Sequence, residues 1–173
     1  TKDTYYRMTI AILIQNLSVG GIQRLVVDEA NELTRRGHDV YILTFEAEKN
    51  EYSMRSLLTT PESHCLYIPY ARLRSLSGLL MVIRELRRIR PDVGMTHHWF
   101  ANTVGRVAAQ FARVPSILSF EHSTYDTRKP AIQFFIDRIL QTWSRVIVAV
   151  SEPVKESLVR HGIDAKRIQV VAN

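Results

Sequence analysis

Apolar and polar positions follow two rhythms along this chain. Residues 10–14, Ile-Ala-Ile-Leu-Ile, form an unbroken apolar run, the mark of a strand covered on both faces. After a polar stretch, apolar residues recur at Ile22, Leu25, Val26, Ala30 and Leu33, the spacing of a helix with one buried stripe. Arg35-Arg36-Gly37 ends that helix, and a second apolar strand runs over 40–45. The opening is therefore a β-α-β unit.

The same alternation continues to the end. Residues 46–63 are polar, with a short helix predicted around 52–58. Strand three is read at 65–68, stopped by Pro69. A helix follows over 76–89, ended by Pro91, because a proline biases its predecessor away from helical geometry. Strand four is read at 92–97, a helix at 100–112 and strand five at 116–120. Pro130 suits a first helical position, for a helix to about residue 143. Strand six covers 146–150. Ser151 suits an N-cap for a helix to about residue 160, with Gly162 past its end and a last strand over 168–172. The pattern predicts a doubly wound α/β domain with a mostly parallel sheet of about seven strands.

In such a sheet, ligands sit at the carboxyl ends of the strands. Strand one runs into Asn16, Ser18, Gly20 and Gly21 before the first helix begins. A glycine pair there lets backbone approach a ligand and presents unpaired helix N–H groups to a negative or polar group. A tight turn with no ligand is the plainer alternative. Arg24, one turn into the helix, suits a phosphate contact or simple solvation.

Composition narrows the class. The chain has 173 residues, 46% hydrophobic and 23% charged, with a net charge of +6, so it is globular and favours anionic partners. The single cysteine, Cys65, excludes an internal disulfide and suits a reducing, cytoplasmic compartment. No apolar run approaches the ~20 residues of a membrane span. Residues 1–7 are polar and precede Met8; they read as an extension or tag. The basic residues carry no helix-turn-helix, zinc or RNA-binding signature, which argues against nucleic acid. No acidic cluster ends strand one, as a receiver-type signalling domain would require.

Two stretches together resemble a known family. Asn16-Leu-Ser-Val-Gly-Gly-Ile-Gln-Arg24, with Asn31-Glu-Leu33 and Arg36-Gly-His-Asp-Val40, is similar to the start of GT-B glycosyltransferases of retaining family four. The run 146–152, His161-Gly-Ile163 and Arg167 to Asn173 is similar to that family's approach to its interdomain linker. The resemblance spans the chain from about Met8, and implies a Rossmann-like, acceptor-side N-terminal domain over residues 8–173. In that family a second domain binds the nucleotide-diphosphate sugar and carries two glutamates eight positions apart, a spacing absent here. It implies a chain inactive alone. The whole protein would move a hexose, without a catalytic metal or other cofactor, to a cell-envelope glycan or lipid-linked acceptor. The rival reading is a stand-alone α/β binding module, or the non-catalytic subunit of a split transferase.

The resemblance also bears on side chains. His122 follows strand five, in Ser119-Phe-Glu-His-Ser123; the family places a histidine here against the donor sugar or reaction centre. Imidazole suits that place because it can donate a hydrogen bond and change protonation near neutral pH. A capping or core histidine is the plainer reading. Glu121 and His122 are the candidate catalytic pair, one of them polarising an acceptor hydroxyl as general base; Glu121 alternatively pairs structurally with an arginine. His97 and His98 end strand four. Neighbouring strand residues face opposite ways, so a metal shared by both with His122 is disfavoured, and His97 is read as lining the acceptor cleft. Trp99 and Tyr125 suit either sugar stacking or core packing. Arg128 and Lys129 suit an anionic acceptor or a solvated loop, and Ser151 lies at a helix start expected to face the cleft. Finally, Arg84, Arg87 and Arg88 share one helical face, which fits a peripheral contact with the anionic inner face of a membrane or a plain solvated surface.

Overall fold

The computed structural model describes residues 6–47, 52–69, 76–124 and 131–172. Seven strands form a single sheet: β1 (Thr9–Ile14), β2 (Asp39–Thr44), β3 (Cys65–Tyr67), β4 (Val93–His97), β5 (Ser116–Glu121), β6 (Val146–Ala149) and β7 (Ile168–Val170). Their order is β3-β2-β1-β4-β5-β6-β7, and every pairing is parallel. Among the described residues, five helices connect them: α1 (Gly21–Arg35), α2 (Leu76–Ile89), α3 (Trp99–Ala112), α4 (Ala131–Leu140) and α5 (Glu152–Arg160). The expected doubly wound α/β fold is present, with an entirely parallel sheet.

β1 shows why its apolar run needs cover on both sides. Ile10, Ile12 and Ile14 pack with Val26, Val27 and Ala30 of α1. Ala11 and Leu13 point the other way, into a core with Val82, Ile83 and Leu86 of α2 and Ala101, Ala108 and Ala109 of α3. All five β1 residues are 2% exposed or less. α3 presses closest: a Cβ on Gly105 would lie 2.6 Å from Thr96 Cγ2 and 3.2 Å from Leu13 Cδ2. A third cluster seats α5 on β6 through Ile147, Ala149, Val154, Leu158 and Ile163.

The chain builds outward from β1 to β3, then returns to lay β4 on the other flank of β1. Connections leaving the carboxyl ends of β1 and β4 therefore diverge and open a crevice between them.

Some edges differ from the pattern. The helix expected over 52–58 is only a 3₁₀ turn, Arg55–Leu57, because this segment is tied to the β1 loop instead: Val19 N–H donates to Tyr52 O and Met54 N–H to Leu17 O. The last strand ends at Val170 and β6 at Ala149, where pairing with the neighbour stops. Gly162 takes a left-handed conformation, φ +89°, just past the end of α5, as a helix terminator should. Pro130 lies outside the described residues.

Candidate active site

The carboxyl edge of β4 and β5 carries polar residues on both sheet faces, and strand alternation sorts them. On the α1 side stand His97, Phe120 and His122. His97 is completely buried and stacks on Phe120, with ring centroids 4.3 Å apart. Its Nδ1 lies 3.2 Å from His122 Nε2, and its Nε2 lies 3.4 Å from Glu29 Oε2 on α1. Burial, with His122 and His98 nearby, holds His97 well below the ordinary histidine range. Burial also pushes His122 down to about 4, helped by His98, and pushes Glu29 up to about 7. Removal from water disfavours whichever form is charged. Both imidazoles are therefore neutral at pH 7, and Glu29 is poised between its two states.

His98 leaves the strand abruptly. Its φ of +75° is a left-handed geometry that costs an ordinary side chain about 1–3 kcal/mol and concentrates at ligand sites. Its carbonyl accepts Asn102 N–H at 2.7 Å, starting α3. Burial lowers its pKa, against the opposing pull of Glu46.

Glu46, just past β2, accepts Gln15 Nε2 at 2.5 Å and Asn16 Nδ2 at 2.9 Å. Asn16 Oδ1 in turn accepts Ser18 N–H at 3.1 Å and Gln23 Nε2 at 3.4 Å. The β1 loop is thus rigidly tied, and Asn16 is a loop organiser. At the start of α1, Gly20 has extended backbone and no side-chain cap bonds to the helix. A Cβ on Gly21 would meet nothing within 4 Å, so no packing demands a glycine there. What its absence leaves is an open helix start, consistent with close approach of a ligand.

On the opposite face, Glu121 is 3% exposed and accepts Asn102 Nδ2 at 2.9 Å. Asn102 also donates to Phe120 O at 3.0 Å and accepts Thr96 Oγ1 at 2.6 Å. Ser119 Oγ lies 3.3 Å from Thr96 Oγ1 and 2.8 Å from Ser144 Oγ. Below, Arg106 Nε donates to Asn102 O at 2.8 Å, and its guanidinium pairs with Asp137 of α4, both side chains buried.

The predicted residues thus separate. Asn16, Ser18, Gly20 and Gly21 share the β1 loop and the entrance to α1, at the β1/β4 crevice, and His97 and His122 meet on the sheet face that α1 covers. Glu121 alternates with His122 along the strand and so lies on the other face, where Asn102 donates to it. His97 is also corrected, since a fully buried ring holds His122 and cannot line a cleft. Arg24 is exposed and forms a 2.9 Å ion pair with Asp28. Ser151 occupies the start of α5, but its hydroxyl makes no capping bond; its carbonyl accepts Lys155 N–H at 3.1 Å. Trp99 begins α3. Arg128, Lys129 and Tyr125 lie outside the described residues. Among those described, no group of three His, Cys, Asp or Glu side chains is placed to hold a metal.

Glu29 escaped the sequence reading, although a signal was there. It falls within the apolar stripe of α1, one turn after Val26 and one before Leu33, where a carboxylate is out of place unless it has a partner. Asn102 and Arg106 carry the same signal on α3.

A separate cavity of about 540 Å³ lies at the far, amino-terminal edge, lined by Arg87, Arg90, Asp92 and Arg113 among others. α2 and α3 end there, and helix carboxyl ends favour cations in their own right, which accounts for these arginines without a ligand.

The sequence pattern of Glycosyltransferase Family 4 matches residues 19–173. No curated protein sequence matches the chain. Among solved structures, HepE from Anabaena, crystallised with UDP and glucose, superposes with a TM-score of 0.77 at 18% identity, over 96% of this chain and 44% of HepE. The lipopolysaccharide outer core galactosyltransferase WaaB matches at 0.71 and 18%, over 96% of this chain and 46% of WaaB. A UDP-GlcNAc 2-epimerase from Methanocaldococcus jannaschii also matches, at 0.67 and 18%, again over 96% of this chain and 46% of that one. The chain spans under half the length of each. At such identities the likeness is one of fold, shared by transferases and an epimerase alike.

Proposed function

The chain belongs to Glycosyltransferase Family 4, and from that premise we propose that it is the acceptor-side, N-terminal domain of a GT-B enzyme that transfers a sugar from a nucleotide-diphosphate donor. The single observation that carries this reading is the juxtaposition at the β1/β4 switch point. An uncapped helix start at Gly20 and Gly21 shares the α1-covered side of the sheet edge with a histidine pair that Glu29 approaches to 3.4 Å. The first arrangement suits a diphosphate; the second suits a sugar hydroxyl or the reacting oxygen.

In this proposal His122 meets the donor sugar and Asn16 and Ser18 shape the loop. Glu121 serves as a support. Arg128 steers an anionic acceptor, Ser151 borders the cleft, and Arg24 is the weakest candidate because Asp28 already engages it. A second, donor-binding domain completes the site, so the isolated chain does not catalyse transfer. The reaction moves a hexose, with retention of configuration and without a metal, to a cell-envelope glycan or lipid-linked acceptor, and it takes place in the cytoplasm. HepE and WaaB, whose names speak of UDP with glucose and of lipopolysaccharide, support the donor and acceptor classes.

Among the described residues no helix is long and apolar enough to cross a membrane. Peripheral contact through α2 is part of the proposal: Leu76 and Leu80 are 73% and 55% exposed, on the same stripe as exposed Arg84. Arg87 and Arg88 are partly engaged, donating to Phe111 O and to Glu85. Co-sedimentation at low salt should retain more protein on anionic than on neutral liposomes, with the excess lost in Arg84→Glu; equal retention on both removes the membrane from the proposal.

The experiment for the reading as a whole uses the full-length gene product with a panel of nucleotide sugars, UDP-glucose first, and polyol or glycolipid acceptors. Acceptor-dependent release of the nucleotide is expected. Epimerisation of the donor sugar with no transfer would overturn the reading.

A further inference from the structure

We infer that Glu29 is a positioning residue which, through His97, decides which nitrogen of His122 carries the proton, and so whether His122 offers the cleft a donor or an acceptor at Nδ1. The inference rests on the proposed place of His122 in the transfer site for its consequence, and on the alignment of the three side chains for its content.

Three groups stand in line: Glu29 Oε2 lies 3.4 Å from His97 Nε2, facing it without a formed hydrogen bond, both atoms being buried with no hydrogen-bond partner, and His97 Nδ1 lies 3.2 Å from His122 Nε2. His97 is wholly buried, and a neutral imidazole has one N–H and one lone pair. A small side-chain shift would close the two orphaned atoms into a hydrogen bond, and the two contacts of His97 then have opposite sense. When Glu29 is ionised, His97 donates from Nε2 to it, accepts at Nδ1 from His122 Nε2–H, and leaves His122 Nδ1 as an acceptor. When Glu29 is protonated, its O–H donates to His97 Nε2, His97 donates from Nδ1 to His122 Nε2, and His122 Nδ1 carries the hydrogen.

The two states are joined by a balanced relay. A proton entering at His122 Nδ1 displaces the one on Nε2 to His97 Nδ1, and His97 passes its Nε2 proton to Glu29. One proton enters and one carboxylate is neutralised, with no imidazolium formed in either resting state. That matters because burial disfavours the cation on both rings. An acceptor hydroxyl deprotonated by His122 would thus deliver a proton equivalent to Glu29, half-buried on the far side of His97.

Glu29 is suited to both states, since burial brings it to about 7. The other charged groups on α1 are engaged elsewhere: Arg24 with Asp28, and Glu32 with Arg35 and Arg36. From the elements packed against it, His97 faces it directly. Behind His97 stands His122, with His98 acting on both rings and Glu46 acting on His98.

Long-range ¹H–¹⁵N spectra of the histidine side chains of the 173-residue chain test this directly, from about pH 5.5 to about pH 8.5. The Nε2–H tautomer of His122 is expected at the alkaline end and the Nδ1–H tautomer at the acid end, exchanging near the titration of Glu29. Glu29→Gln should abolish the exchange, leaving one tautomer throughout. Glu29→Asp should restore it with a moved midpoint. Unchanged His38 and His161 signals confirm that the variants fold. A His122 tautomer constant with pH in the wild-type chain, or an identical exchange in Glu29→Gln, overturns the inference. Because the spectra read tautomers and not turnover, such a failure leaves the transferase reading standing.

Discussion

The two faces of the β4–β5 edge carry similar numbers of polar groups and treat them in opposite ways. On the α3 side, Thr96, Asn102 and Ser119 form a chain of donors matched to acceptors, with Glu121, Ser144 and the Arg106–Asp137 pair at its ends. On the α1 side, Glu29, His97 and His122 line up with longer contacts and displaced pKa values. A satisfied buried network rigidifies a fold. A line of half-satisfied titratable groups at a strand end is what a reacting site needs. Side by side on two strands, one set holds the edge in shape and the other is the set proposed above for the chemistry.

The largest expected effect breaks the α3-side network. Arg106→Ala removes the buried guanidinium that pairs with the buried Asp137 and should cost about 3–5 kcal/mol of stability, read by denaturant unfolding. Asn102→Ala removes the shortest acceptor of Thr96 Oγ1 and a donor to Glu121, for about 1–3 kcal/mol. A loss of sugar transfer with no loss of stability in either variant would place these residues in the chemistry and erase the contrast.

Acid titration follows in size. Burial holds His97 and His122 neutral in the fold well below 6.5 and lowers His98, whereas an unfolded chain protonates all three near 6.5. The unfolded state then binds more protons, so stability falls as pH drops below about 6.5, by about 3 kcal/mol by pH 4 for His122. Glu29 works the other way. Its folded pKa of about 7 lies above its ordinary 4.5, so the fold holds a proton that the unfolded chain has released. Its contribution is present below 4.5 and is lost as pH rises to about 7. Three histidines against one carboxyl leave stability rising with pH between about 4.5 and 6.5, and Glu29→Gln should steepen that rise. Thermal unfolding at stepped pH checks both slopes.

Gly105→Ala comes next. The added methyl would press Thr96 and Leu13, with about 1–3 kcal/mol lost to overpacking. Arg24→Ala is the smallest, within about 0.5 kcal/mol in stability, because its ion pair with Asp28 is exposed and such pairs contribute little.

The sheet was legible because its strands announce themselves. The run at 10–14 is apolar throughout since both faces of β1 are covered. The loops after β1 and β5 were legible as a site because carboxyl ends of strands converge at the switch point. The partners on each face were not. Which neighbour meets Glu121 or His97 depends on packing from helices far away in sequence, and Asn102 and Glu29 supply those partners from α3 and α1. The short helix expected over 52–58 failed for a similar reason: its backbone donors go to the β1 loop, a non-local pairing that periodicity does not register.

The most direct test of the central claim, that chemistry belongs to the α1-side histidines and support to the α3-side network, is the effect of His122→Ala on kcat of the full-length enzyme, measured beside its thermal unfolding. The account predicts a fall in turnover of about 10²–10⁴-fold with an unfolding midpoint close to that of the parent protein. Turnover within a few-fold of the parent, or a loss that merely tracks unfolding, would contradict it.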